Sequence, residues 1–282
     1  MISVVVLAHN HAPYTRECLR NLLASQTDDF EVIAVDNGSM DETGAVLEEM
    51  RAAAAARGVA MTILSPGRNL GCSTARNLAV SRAAGDEVVF ADNDTTFPDP
   101  AWMEKLRAVL REERDVAIVG PKLCYPFEPH CIQCAGVEVS RSGRVLFRGR
   151  GEPADDPRFN QRAAVQCLIS ACWMFRKSLY SEIGGLDEVY NPVQYEDLDF
   201  CYRARSHGYR VLYVPEAVVY HWESITSDRT PSLRNRYVII KNGLTFKRRW
   251  RHMFEKEDGP PDDATRWRPL ELRSLDGTPR IR

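Results

Sequence analysis

Short apolar runs alternate with amphipathic segments through the first 120 residues. The runs are rich in Val, Ile, Leu, Phe and Ala, and they predict five strands, over Ile2–Ala8, Glu31–Asp36, Met61–Ser65, Glu87–Ala91 and Val116–Val119. Apolar runs without polar alternation are typical of parallel strands that are covered on both faces. The pattern therefore predicts an α/β fold around a central, mostly parallel sheet.

Helix signals fill the intervals between these runs. Four helices are predicted: one that begins at Pro13, one that Ser39 and Glu42 open as a capping box, one over Ser73–Ala84 and one over Ala101–Glu112. Helices in these positions would connect successive parallel strands as crossovers.

The regular alternation fades after residue 120. Val165–Phe175 is apolar and strand-like, Tyr195–His207 has a helical pattern, and Arg210–Val214 and Val218–His221 predict two short final strands. Arg148–Asn160 is rich in Gly, Pro, Asp and Arg, so we expect an exposed loop that could serve as a lid.

The last 50 residues differ in composition from the rest. Residues 231–254 form a basic, amphipathic helical segment, and within it 234–252 could touch a membrane surface or pack on the main domain. Residues 255–282 are polar and Pro-rich, which predicts a weakly ordered tail. The chain thus divides into a domain over 1–230, the helical segment and the tail.

Composition narrows the function classes. The chain has 282 residues, of which 44% are hydrophobic and 27% charged, as in soluble globular proteins. Its net charge of −2 provides no bulk attraction for nucleic acid. No run approaches the roughly 20 apolar residues of a membrane-spanning helix. Since the first residues show no signal-peptide pattern, we expect a cytoplasmic protein, with the helical segment able to reach the inner face of a membrane.

The cysteines are too dilute for a disulfide scaffold. Eight are spread along the chain. Cys131 and Cys134, with Cys124 and His130 nearby, are the one candidate zinc or redox cluster. No second pair at this spacing follows, so a metal role for them stays open.

Polar residues follow three of the predicted strands. They are His9-Asn10 after the first, Asp36-Asn37-Gly38 after the second and Asp92-Asn93-Asp94 after the fourth. Ligands bind at the carboxyl ends of the strands in open α/β sheets, so these residues are expected to face one crevice. Two carboxylates one residue apart can hold a divalent cation on a diphosphate, although Asp94 could also cap a turn.

Other polar residues allow two interpretations each. Asp36 could accept a hydrogen bond from a nucleobase or belong to a turn, and Asn69-Leu70-Gly71 could bind a phosphate or form a turn. Glu196 and Asp197 could act in proton transfer, or favour a helix start. His221 could complete a metal shell or be structural.

The ordered set of motifs resembles the family 2 glycosyltransferases over residues 2 to 225. The set includes Val35-Asp36-Asn37-Gly38-Ser39, Asn69-Leu70-Gly71, Ala75-Arg76-Asn77, Asp92-Asn93-Asp94, Gly184-Gly185-Leu186-Asp187-Glu188, Tyr195-Glu196-Asp197-Leu198-Asp199 and His221. The resemblance implies a GT-A fold, which is a Rossmann-like sheet flanked by helices, here with a C-terminal helical extension. It also implies a donor linked to UDP, dTDP or GDP, a Mn²⁺ or Mg²⁺ cofactor and inversion at the anomeric carbon.

The resemblance also assigns roles by position. Asp197 falls on the catalytic base, with Glu196 beside it, and Asp94 and His221 fall on the metal ligands. Trp173 could stack on a sugar face or be a core residue. The donor-binding positions are Ala8, Asn10, Asp36, Asn69, Gly71, Arg76, Asp92 and Asn93. His9, His11 and the segment Cys124–Cys134 depart from the family pattern.

Two other functions remain open from the residues. A sugar nucleotidyltransferase also uses an α/β nucleotide domain with metal carboxylates, but no Gly-rich, Lys-containing triphosphate loop is seen near the amino end. A catalytically silent nucleotide-sugar-binding module would keep the same pocket. The acceptor could be a glycan, a lipid-linked glycan, a small metabolite or a peptide.

Overall fold

A ten-stranded mixed sheet runs through the centre of the molecule, in a computed structural model that describes residues 1–27, 29–223, 233–277 and 279–281. The strands are β1 Ile2–Ala8, β2 Phe30–Asp36, β3 Ala60–Leu64, β4 Glu87–Asp92, β5 Thr95–Thr96, β6 Val116–Cys124, β7 Ile132–Cys134, β8 Val137–Val139, β9 Val145–Phe147, β10 Ala163–Ala164, β11 Cys172–Arg176, β12 Arg210–His221, β13 Glu271–Arg273 and β14 Pro279–Ile281. The helices are α1 Ala12–Leu23, α2 Thr43–Ala56, α3 Cys72–Val80, α4 Trp102–Glu112, α5 Lys177–Ile183, α6 Glu196–Ser206 and α7 Leu233–Phe254.

The strand order of the sheet is β10-β12-β6-β11-β4-β1-β2-β3, with β5 paired to β12 and β7 to β6. Strands β1 to β4 are parallel, in a register that sets Ala8 beside Asp36 and Leu7 beside Asp92. The five predicted amino-terminal strands and the mostly parallel sheet are confirmed. Because parallel strands end at one edge, the polar residues that follow them are brought together there.

The predicted succession of crossovers is wrong at one place. Strand β11 runs antiparallel to both neighbours and separates β4 from β6. The apolar stretch Val165–Phe175, predicted as one strand, is broken, and only Cys172–Arg176 joins the sheet centre. The preceding loop turns Ser170 toward helix α3, where its hydroxyl accepts a hydrogen bond from Arg76.

Two boundary predictions also fail for local reasons. The capping box of Ser39 and Glu42 does not form, because the Ser39 hydroxyl accepts from the Asn10 backbone N–H at 2.8 Å. Asp41 takes the capping role instead, accepting from the Thr43 backbone N–H at 3.0 Å. The two final strands predicted around residue 216 are one strand, β12, with an irregularity between Val214 and Val218.

Helix α7 packs against the domain through part of its length. Phe246, Trp250 and Phe254 are buried. Asn242 is fully buried, and its side-chain amide donates to the carbonyl oxygens of residues 190, 193 and 194. The amino-terminal half of the helix instead leaves Tyr237, Ile240 and Leu244 exposed, as described below. No helix in the described ranges is long and apolar enough to cross a bilayer.

The segment Arg148–Asn160, expected as an exposed loop, is anchored to the body of the protein. Arg150 is buried and forms an ion pair with Glu223 at 2.9 Å. The Lys122 ammonium group donates to the Ala154 carbonyl oxygen at 2.7 Å. The expectation of an exposed lid is therefore wrong at these points, because a buried guanidinium holds the segment down. The domain boundary expected between residues 230 and 231 lies outside the described residues.

Close approach of two loops generates a prediction about Gly38. Its φ is +78°, and a Cβ there would lie 2.6 Å from the backbone carbon of Arg68 and the backbone nitrogen of Asn69. Gly58, with φ +76°, has open space around it. Gly38→Ala and Gly58→Ala therefore share the cost of a left-handed backbone, roughly 1–2 kcal/mol, and only Gly38→Ala adds a backbone clash. We expect urea denaturation to show a clearly larger loss of stability for Gly38→Ala. Equal losses would contradict the described packing of these loops.

Candidate active site

A buried arginine lies at the centre of the carboxyl edge of the sheet. Arg76, on α3, is 1% exposed, and its guanidinium donates to the Asp92 carboxylate at 2.6 Å. The same guanidinium donates to the Ser170 hydroxyl at 2.5 Å and to the Ser170 carbonyl oxygen at 2.9 Å. Arg76 thus connects the end of β4 to the loop before β11.

Asp92, Asp94 and His221 form the one cluster of potential metal ligands found among the described residues. One ligand atom from each lies within 4.8 Å of the others. Antiparallel pairing of β5 with β12 sets His221 beside Thr95, which brings its Nε2 to 3.2 Å from Asp94 Oδ1. The sequence assigned Asp94 and His221 to a metal, and the structure adds Asp92 to their neighbourhood.

The two carboxylates give this cluster a negative charge that favours binding of a cation. Burial alone lowers the pKa of His221, but the charges of Asp94 and Asp92 outweigh it and raise the pKa to about 9. Burial raises the pKa of Asp92, against the opposing effect of Arg76. Two carboxylates and an imidazole are ligands that suit Mn²⁺, so the residues fit a divalent ion.

Asp197 and Glu196 lie on the other side of Arg76. Asp197, at the start of α6, accepts from the backbone N–H groups of Ser170 at 3.2 Å and Leu198 at 2.8 Å. Burial raises the pKa of Asp197, and these two hydrogen bonds oppose the rise. Ser170 therefore touches both Arg76 and Asp197, which places the second acidic pair next to the first.

Glu196 is a buried carboxyl with an unsatisfied oxygen. It is 3% exposed, and its Oε2 has no hydrogen-bond partner in the described part of the chain. Burial, with the charge of Asp197, raises the pKa of Glu196 to about 7. The third carboxylate of this motif, Asp199, is structural, since it accepts from Trp250, Tyr190, Arg203 and Arg249.

Three of the predicted donor-binding residues use their side chains to hydrogen-bond neighbouring loop backbone or side chains. Asp36 ends β2, and its Oδ1 accepts from the Ser39 backbone N–H at 2.9 Å. Asn69 accepts from the Gly71 backbone N–H and from Asn37, as in the turn interpretation. Asn10 accepts from Met40. These contacts shape the loops around the crevice, and a role in binding a donor stays a prediction for each of them.

Three further predicted donor-binding residues, Asn93, Ala8 and Arg76, are buried beneath these loops. The Asn93 side-chain amide donates to the Asn10 carbonyl oxygen and to Thr15, so it braces the first loop. Ala8 is buried, and its carbonyl oxygen accepts from the Asn37 backbone N–H. Arg76 is buried and donates to Asp92 and Ser170, and its expected role in donor binding stays a prediction.

Trp173 is a core residue, and the stacking of its ring on a sugar is a wrong prediction. Its side chain is 0% exposed on β11, and its ring packs against those of Phe90 and Phe200. A ring with no exposed surface offers no face to a ligand. The apolar run around it was the signal for a core position.

The cysteine cluster forms no group of potential metal ligands within the described ranges, where Asp92, Asp94 and His221 are the one such group. All eight cysteines are free thiols. Residues that sequence reasoning missed are Ser170, whose polarity inside an apolar run was a usable signal, and Gln133, which lies between Cys131 and Cys134 and contacts His221.

Comparison with known proteins gives a family match. The family model described as Glycosyl transferase family 2 matches residues 3–184. The chain is 28% identical over 257 residues to the protein y4gI of Sinorhizobium fredii, an alignment that covers 89% of the chain and 28% of y4gI. The chain thus spans less than a third of that relative's length.

Two further similarities extend over most of the chain. It is 26% identical over 261 residues to the N-acetylglucosaminyl-diphospho-decaprenol L-rhamnosyltransferase of Mycobacterium tuberculosis, covering 82% of the chain and 79% of the relative. Among solved structures, a Pyrobaculum calidifontis mannosyltransferase in complex with GDP-Man and Mn²⁺ superposes with a TM-score of 0.64 at 19% identity, covering 94% of this chain and 67% of that one. The predicted GT-A fold is confirmed.

The unsatisfied carboxyl of Glu196 generates a prediction about stability and pH. Its folded-state pKa of about 7 lies above the ordinary value of 4.5, so the folded protein binds more protons than the unfolded chain between these values. Stability from this group therefore falls as the pH rises from 4.5 through about 7. Glu196→Gln removes the buried charge. We therefore expect the free energy of unfolding of the variant, measured relative to that of wild type, to be about 1–3 kcal/mol higher at pH 8 than at pH 5.

The measurement is urea denaturation at both pH values. Glu42→Gln, at an exposed position at the start of α2, is the matched control and should leave the pH profile of wild type unchanged. A Glu196→Gln variant that follows the wild-type profile would show that this carboxyl is not the buried group described.

Proposed function

The chain belongs to glycosyl transferase family 2, and we propose that it transfers a sugar from a nucleotide-diphosphate donor to a hydroxyl group of an acceptor, with inversion and with Asp197 as the base. The observation that carries the proposal is the contact series from Asp92 through Arg76 and Ser170 to Asp197. It joins the cluster of potential metal ligands to a half-buried carboxylate through one guanidinium.

Asp94 and His221, with Asp92 beside them, would hold Mn²⁺ or Mg²⁺. Such an ion neutralises the charge that develops on the departing diphosphate. The mannosyltransferase structure contains Mn²⁺ with GDP-Man, which supports a nucleotide-sugar donor and a divalent ion here as well. The donor can be linked to UDP, dTDP or GDP, and Asp36, Asn10 and Asn69 lie on the loops expected to receive it.

Asp197 is the group proposed to take the acceptor proton. The acceptor oxygen attacks the anomeric carbon, its proton passes to the Asp197 carboxylate, and the bond to the diphosphate oxygen breaks with its electron pair. The two backbone N–H groups on Asp197 fix its carboxylate and stabilise the ionised form. A positioned base typically contributes about 10²–10⁴ in rate. No covalent intermediate is needed.

Glu196 differs from Asp197 in its environment. Its Oε2 is buried and has no hydrogen-bond partner in the described part of the chain, whereas Asp197 accepts from two backbone N–H groups. Burial and the charge of Asp197 raise the pKa of Glu196 to about 7, so protonated and ionised forms of Glu196 coexist near neutral pH. We assign proton acceptance to Asp197 and contact with a sugar hydroxyl to Glu196.

No specific observation favours either of the alternative functions, a sugar nucleotidyltransferase or a catalytically silent nucleotide-sugar-binding module. The rhamnosyltransferase and mannosyltransferase similarities point to sugar transfer, not to nucleotidyl transfer. The complete acidic set argues against a silent binding module, because such a module would have no use for a carboxylate positioned to accept a proton.

Helix α7 offers a surface for an acceptor-bearing membrane. Tyr237, Ile240 and Leu244 are 67%, 61% and 63% exposed, and their spacing sets them on one face. Lys241 and Arg248 are exposed on the same part of the helix. An apolar stripe flanked by basic groups fits an anionic lipid surface. The rhamnosyltransferase relative is named for a decaprenol-linked sugar, which supports a lipid-linked acceptor.

A pair of variants separates binding from chemistry. We expect Asp197→Asn to lower kcat about 10²–10⁴-fold while donor affinity stays near wild type, because only the proton acceptor is lost. Asp94→Asn should weaken both Mn²⁺ binding and Mn²⁺-dependent donor binding. Calorimetry with UDP and GDP sugars, alongside product formation, measures both. Full turnover by Asp197→Asn would remove the base assignment.

The α7 surface generates a prediction about lipid binding. Burying each apolar side chain contributes about 1.5–3 kcal/mol, so Ile240→Ser combined with Leu244→Ser should reduce partitioning onto anionic vesicles by tenfold or more. Leu275→Ser, at an apolar position 38% exposed elsewhere, is the matched control. Co-sedimentation with anionic and neutral vesicles makes the test. Equal partitioning of the double variant and wild type would contradict a role for this face.

A further inference from the structure

A buried polar chain lies behind His221, on the side away from Asp94. His221 Nδ1 is 2.8 Å from Gln133 Oε1, and Gln133 Nε2 is 3.1 Å from Glu223 Oε2. Gln133, in β7, is 0% exposed, and His221 and Glu223 are both buried. The chain thus connects one face of the imidazole to a carboxylate in the protein interior.

The surroundings of Glu223 make its carboxylate a hydrogen-bond acceptor only. Its Oε2 accepts from the Tyr125 hydroxyl at 2.5 Å and from the Arg150 guanidinium at 2.9 Å. A carboxylate paired with a buried guanidinium accepts hydrogen bonds and donates none. Arg150 is in turn held under the ring of Trp267, with 3.8 Å from its guanidinium carbon to the ring centroid.

An acceptor at Glu223 fixes the orientation of the Gln133 amide. The NH₂ group must face Glu223, since the reverse orientation would set two oxygens against each other at hydrogen-bond distance. Gln133 Oε1 then faces His221 Nδ1 and can only accept. His221 Nδ1 must therefore carry a proton, whatever the state of Nε2.

We propose that Gln133 is a positioning residue for the metal site, which holds the Nδ1–H form of His221 and so directs the lone pair of Nε2 toward the ion shared with Asp94. The inference rests on the proposed metal-dependent function. Outer hydrogen bonds to a ligating imidazole set both its ring orientation and its proton position, and their loss typically costs 10–100-fold in metal affinity. The unusual segment between Cys124 and Cys134 acts in this account through its glutamine and not its thiols.

The test measures Mn²⁺ affinity by the EPR signal of the free ion, with the full chain. Gln133→Met keeps the length of the side chain but removes both polar atoms, and we expect it to bind Mn²⁺ about 10–100-fold more weakly. Gln166→Met is the matched control, because Gln166 is half-buried and, like Gln133, hydrogen-bonded through its side-chain amide, to Val139 and Glu257. Tyr125→Phe removes a different donor to Glu223 and should bind Mn²⁺ close to wild type.

A second measurement needs no variant at Gln133. Nitrogen NMR of ¹⁵N-histidine-labelled wild type with saturating Mg²⁺, assigned against His221→Asn, should find the proton of His221 on Nδ1. A proton on Nε2 would overturn the proposal even if Gln133→Met fails to fold. Wild type that binds no divalent ion would overturn the metal-dependent function and this inference together, whereas tight Mn²⁺ binding by folded Gln133→Met would overturn the inference alone.

Discussion

The buried guanidinium of Arg76 is the interaction on which the site depends. It spans two pieces of chain that are 94 residues apart, α3 and the loop before β11, through its bonds to Ser170. Its charge acts on Asp92, Glu196 and Asp197 together. A buried charge that loses its partner costs about 3–5 kcal/mol, so the acidic groups and this arginine stabilise one another only as a set. The carboxyl edge of the sheet brings the acidic side chains close together, and the positive charge of Arg76 stabilises them there.

Helix α7 shows how the same arrangement is supported from outside. Asn242 binds three carbonyl groups of the loop that leads into α6, and Trp250 and Arg249 bind Asp199 within α6. The carboxyls at the start of α6 are therefore oriented by a helix that lies about 50 residues further along the chain. One face of α7 thus orients the carboxyls proposed for catalysis, while another face, exposed and apolar, is the one proposed to contact a membrane.

Much of the fold could be predicted, because β1, β2 and β4 are buried on both faces and their sequences are correspondingly apolar. The polar residues that follow them were correctly expected at one edge.

The antiparallel insertion of β11 could not be predicted, because an apolar run carries no sign of strand direction. The capping role of Asp41 over Ser39 was also hidden, since it depends on Asn10 occupying the Ser39 hydroxyl. For the site, residue chemistry and the resemblance both suggested that His221 and Asp94 share a metal. How the two side chains approach could not be predicted, because it depends on a two-residue strand, β5, that periodicity cannot reveal. The resemblance assigned Arg76 to donor binding, and only packing shows that its guanidinium is enclosed and paired with Asp92.

The shared location of the metal, the donor and Asp197 can be examined in a crystal structure of the protein with Mn²⁺ and a nucleotide-sugar donor, with anomalous scattering recorded at the manganese edge. We expect one manganese peak within coordination distance of Asp94 and His221, and a donor whose anomeric carbon lies in the same cavity as the Asp197 carboxylate. A manganese peak remote from Asp94, or a donor separated from Asp197 by the body of the protein, would contradict it.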